Sequence, residues 1–72
     1  MDVSIQEKVG KRIRQLRNEN TGLSQEKFAH IIGMDRTYFS SIELGRHSVT
    51  VSKLEVIAVG LGVSLEELFR GM

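Results

Sequence analysis

The chain has 72 residues, 40% hydrophobic and 26% charged, an ordinary composition for one small globular domain and too apolar for a disordered chain. It contains no cysteine, which excludes a disulfide framework and thiolate metal sites, and no apolar run approaches the roughly 18–20 residues that span a bilayer. The net charge of +1 does not by itself announce a nucleic-acid partner.

The first helix is expected from about Ser4 to Asn18, because Ile5, Val9, Ile13 and Leu16 recur at helical spacing and form a core-facing stripe. Lys8, Lys11, Arg12, Arg14 and Arg17 make this half basic against Asp2, Glu7 and Glu19, whereas Lys53 and Arg70 are outnumbered by Glu55, Glu66 and Glu67 near the end. A basic half fits a phosphate footprint, and it fits a solvated amphipathic helix equally well. Asn20–Thr21–Gly22 breaks the pattern, and Leu23 is expected to fold back into the core.

Ser24 to Gly45, SQEKFAHIIGMDRTYFSSIELG, then reads as two short helices joined by a tight turn. Ser24 caps the first, and Phe28, Ala29 and Ile32 share one face. Gly33 supplies the left-handed residue that ends it. Asp35 caps the second helix, whose inner face is Phe39 and Ile42. Ala29 lets the two helices cross closely. The outer face of the second helix is left to Arg36, Thr37, Ser40 and Ser41, with Tyr38 beside them, all hydrogen-bonding groups near its N-terminal half. A generic helical hairpin would present a polar face there as well. A helix that enters the major groove needs such side chains at that end.

Gly45–Arg46–His47–Ser48 is loop-like, and Thr50 or Ser52 caps a fourth helix with Leu54, Ile57, Ala58 and Leu61 inward and Gly62 at its end. Ser64 and Glu67 form a capping box for a fifth, with Val63 and Leu68 as its hydrophobic staple, running through about Arg70 with Leu65, Leu68 and Phe69 apolar. The fold class expected is therefore all-α, a compact five-helix domain over residues 1–72. At 100° per residue Val56 and Val59 project opposite the fourth helix's core stripe. With Val63, Leu65 and Phe69 they make an apolar patch suited to a two-fold dimer. His30 and His47 lack partners at metal-ligand spacing, and no serine sits in a nucleophile elbow. No enzyme, metal or cofactor is expected.

The Ser24–Gly45 segment resembles the helix-turn-helix of the phage-repressor (Cro/repressor, XRE-type) family, with similarity extending from about Val9 to Phe69. MDRTYFSSIE followed by VTVSKLEVIAVGLGVS is also similar to the controller proteins of restriction–modification systems. The link NENTGLSQ departs from the family by being a residue longer than usual. The resemblance implies a repressor-like fold and a sequence-specific DNA-binding transcriptional regulator, acting in the cytoplasm as a homodimer on a pseudo-palindromic operator, without membrane or small-molecule effector. It points to Arg36, Thr37, Tyr38, Ser40 and Ser41 as base-reading residues. It further points to Gln25, with Arg46, His47, Ser48, Thr50, Ser52 and Lys53, as phosphate contacts, and to Arg17 and Glu43 as a structural ion pair. The reading it competes with is a helical protein-interaction module of the antitoxin or anti-repressor type.

Overall fold

The computed structural model describes residues 4–72, and every regular element among them is helical. Helix α1 (Ile5–Leu16) starts on a capping box: the Ser4 hydroxyl accepts from the Glu7 amide and the Glu7 carboxylate accepts from the Ser4 amide, both at 3.2 Å. Ile13 and Leu16 are buried and Val9 is half-buried, but Ile5 is 64% exposed. The expected stripe thus loses its first member. Ile5 lies at the rim of the bundle, where it lines an open groove of about 240 Å³ with Val9, Val49, Leu54 and Phe69.

Helix α1 does not stop at Asn18. It widens into a π-helical turn, Arg17–Thr21, closed by the Gly22 amide donating to the Arg17 carbonyl at 3.1 Å. Thr21 Oγ1 donates to that same carbonyl at 2.7 Å and accepts from the Leu23 amide at 3.0 Å. Leu23 beyond this turn packs half-buried against the core.

Helix α2 (Gln25–Ile31) begins at Ser24, whose hydroxyl accepts from the Lys27 amide at 3.1 Å. It ends at Gly33, φ +72°, with Met34 N–H donating to Ala29 O and Gly33 N–H to His30 O. This double closure turns the chain within a few residues and buries Met34, a turn residue that periodicity had not marked as core. Asp35 caps helix α3 (Arg36–Glu43) by accepting from the Tyr38 amide at 3.2 Å. Phe39 and Ile42 are fully buried, and the Phe39 ring meets Phe28 at 5.3 Å between centroids, tilted by 43°. Ala29 is fully buried at the α2–α3 crossing, whereas Ile32 on the same face is only half-buried.

Helix α4 (Val51–Leu61) is capped by Thr50, which leaves Ser52 inside the first turn, and it buries Leu54, Ile57, Ala58 and Leu61. Helix α5 (Leu65–Arg70) has the Ser64–Glu67 capping box in both directions and buries Leu68 completely. A six-residue helix has little stability of its own. Arg12 of α1 supplies part of the remainder, donating from Nε to Leu68 O and from Nη2 to Glu67 O, each at 2.9 Å. A cation there also complements the negative end of the helix. Asn20 ties the π-helical turn to the end of α4 through Leu61 O at 3.0 Å. Among the described residues no helix is long and apolar enough to cross a membrane.

Candidate nucleic-acid interface

The outward side of α3 is set by what its inward side must bury. With Phe39, Ile42 and Glu43 turned in, Arg36 and Thr37 emerge exposed from the first turn, and Tyr38, Ser40 and Ser41 are half-buried along its flank. The Asp35 cap fixes the backbone at this end. Among the described residues Arg36 has no ion-pair partner, so its guanidinium remains available to an outside acceptor. Ser41 has committed its proton to the Thr37 carbonyl at 3.0 Å and meets an external group as an acceptor.

Beneath α3 lies a buried polar network. Arg17 Nε donates to Glu43 Oε2 at 2.8 Å and its Nη2 to Oε1 at 3.2 Å, with the two residues 7% and 6% exposed. Nη1 donates to the Leu23 carbonyl at 2.7 Å, so each guanidinium nitrogen bonds within the protein. Gln25, in the first turn of α2, donates from Nε2 to Glu43 Oε1 at 2.8 Å. One amide proton is thereby used internally, which holds the side chain across the mouth of α2 with its second N–H free for an anion. No buried polar side-chain atom is left unpaired among the described residues.

After α3 the chain reverses at Gly45, φ +77°, in a double closure: Gly45 N–H donates to Ile42 O at 3.0 Å and Arg46 N–H to Ser41 O at 2.9 Å. Arg46, His47, Ser48, Thr50, Ser52 and Lys53 all follow with exposed side chains, as phosphate contacts require. Two of them have internal duties: Thr50 Oγ1 caps α4, and Ser48 Oγ accepts a hydrogen bond from Gln6 Nε2. The His47 ring stands against Tyr38, centroids 5.4 Å apart. The Gln6 and Tyr38–His47 contacts join separate elements, and spacing along the chain carried no signal for them.

The basic N-terminal half does not translate into one face beside α3. Lys8, Lys11 and Arg12 line a shallow depression with Gln15, Gly71 and Met72, and Arg12 is bound to the end of α5. Arg17 is buried. Lys8, Lys11 and Arg14 keep exposed side chains.

The family model described as Helix-turn-helix matches residues 13–68. The chain belongs to the helix-turn-helix family. Within that family its similarity runs to controller proteins of restriction–modification systems. It is 51% identical to the control protein C.MunI of Mycoplasma sp over 68 residues, 94% of this chain and 89% of that relative. The controller protein C.AhdI from Aeromonas hydrophila shares 38% identity and superposes with a TM-score of 0.81, over 88% of this chain and 90% of its own. The controller protein C.Esp1396I, solved as a tetramer in complex with its natural 35 base-pair operator, gives a TM-score of 0.85 at 36% identity, over 97% and 91% of the two chains.

In this helix-turn-helix protein α4 and α5 leave several apolar side chains at the surface. Val59 is 74% exposed and Val56 and Phe69 are about half that, with Val63 and Leu65 half-buried alongside. Among the described residues no three His, Asp or Glu side chains gather as a metal site needs.

Proposed function

We propose that this protein is a sequence-specific transcriptional regulator that binds operator DNA as a homodimer, in the cytoplasm and without a small-molecule effector. The observation that carries the reading is the geometry of α3: one face locked into the core, the other offering Arg36 and Thr37 from a capped first turn. Arg36 reads a guanine through O6 and N7, and Thr37, Tyr38, Ser40 and Ser41 complete the base contacts. Gln25, held by Glu43, binds a phosphate with the first-turn N–H groups of α2, and Arg46, Ser48, Thr50, Ser52 and Lys53 follow the same strand. The operator complex of C.Esp1396I supports the assignment.

Titration with duplex DNA at two salt concentrations tests the reading. Affinity should fall steeply with salt through counterion release, and a salt-independent association would point instead to a protein partner. Arg36→Ala should cost about 1–3 kcal/mol and relax the preference at a single base pair. Uniform weakening on all sequences would make Arg36 a phosphate clamp.

One short recognition helix reads only a few base pairs, so specificity calls for two, about 34 Å apart on successive turns of the duplex. Val56, Val59, Val63, Leu65 and Phe69 form the self-complementary patch that pairs the protomers. Val59→Asp puts a charge into that contact, a cost of about 2 kcal/mol that should dissociate the dimer while the monomer stays folded. Sedimentation at micromolar concentration decides it: an intact dimer would move the interface elsewhere.

A further inference from the structure

We propose that His47 is a positioning residue for base readout: its imidazole braces the Tyr38 ring and so extends the reading surface of α3 into the loop that follows it. This rests on the reading of α3 as the DNA-contacting helix. Tyr38 is half-buried against the core and sits one residue beyond Thr37, where its backbone is fixed by Asp35. Its ring is met by His47 at 5.4 Å between centroids and a 44° tilt, inside the range where aromatic pairs attract.

The brace is itself held at both ends. On one side the Gly45 closure, with Gly45 N–H on Ile42 O and Arg46 N–H on Ser41 O, welds the loop to the last turn of α3. On the other, Gln6 of α1 donates to Ser48. His47 lies between these two anchors, so an exposed ring acquires a defined position. A phosphate contact needs only a donor on a mobile side chain. A residue seated this way against a base-reading aromatic acts instead through that ring's orientation.

The two roles separate experimentally. The probes are the tightest duplex recovered from a randomised pool by the wild-type protein and a scrambled duplex of equal length. His47→Ala should weaken the selected duplex about three- to tenfold, the size expected for one aromatic pair. It should leave the scrambled duplex and the salt slope unchanged. His47→Phe, which keeps a ring in place, should stay within about twofold of wild type, and in a Tyr38→Ala background His47→Ala should have no further effect. An unchanged thermal midpoint shows that the fold is intact. The proposal is overturned if His47→Ala weakens both duplexes alike with a shallower salt slope, if His47→Phe fails to rescue, or if the Tyr38 and His47 losses simply add. A Tyr38→Ala variant with wild-type discrimination removes Tyr38 from the base readers, and the brace with it, while Arg36 still tests the DNA reading on its own.

Discussion

Glu43→Ala is expected to remove about 3–5 kcal/mol of folding stability, measured as a drop in the urea midpoint at unchanged slope. The reason is what remains behind. Arg17 is 7% exposed and would keep its charge while losing both bonds to the carboxylate, with only the Leu23 carbonyl left to it. For a domain of this length total stability is on the order of 4–11 kcal/mol, so much of the fold hangs on one buried carboxylate. Gln25 also loses the acceptor that orients it, so even the folded fraction should bind DNA more weakly. Replacing the pair together by Arg17→Met and Glu43→Leu should recover most of the stability but not the Gln25 anchor. A loss below about 1 kcal/mol for the single variant would mean that water reaches the pair in solution, as it does for exposed ion pairs.

Gly10→Ala should be nearly as damaging, about 3 kcal/mol, from one added methyl group. A Cβ at Gly10 would stand 2.5 Å from the carbonyl oxygens of both Ile42 and Glu43. Those are backbone atoms of α3, not side-chain ends that can swing aside, so the two helices must move apart. Helix propensity alone would favour alanine by about 1 kcal/mol, which makes the sign of the result informative. A fall of roughly 10–20 °C in thermal midpoint is expected. Because α3 carries the candidate reading surface, the displaced helix should also lose DNA affinity beyond what unfolding explains. A stabilised variant would show that α1 and α3 are less closely packed than the structure has them.

Much of this architecture is legible in the chain because it is local. Ser24, Asp35, Thr50 and Ser64 cap their helices through hydrogen bonds to residues three places on, and Gly33 and Gly62 mark ends by their backbone conformation. The outer face of α3 follows from the burial of Phe39 and Ile42 by periodicity. What could not be read is tertiary. Nothing in the spacing says that Arg17 meets Glu43 or that Glu43 also holds Gln25, and only the family resemblance pointed to the first of these. Ile5 fits the stripe but lies past the edge of the layer beneath it, and a periodic pattern does not know where its partner ends. Gly10 carries no signal in the helical pattern, since its role depends on carbonyls contributed by another helix. The basic residues of α1 are grouped along the sequence, whereas phosphates sample a surface, and Arg12 and Arg17 are spent inside the protein.

The π-helical turn at Arg17–Thr21 bears on how the length of this chain can vary. An inserted residue in a loop ordinarily swings whatever follows it. A π-helical ring closes over one residue more than an α-helical one, and here Arg17 on one side and Leu23 on the other are tied together by a 2.7 Å hydrogen bond. The start of α2 is therefore registered to α1 by that bond and not by the count of residues between them. A residue added or removed within this turn is thus expected to leave the motif in place.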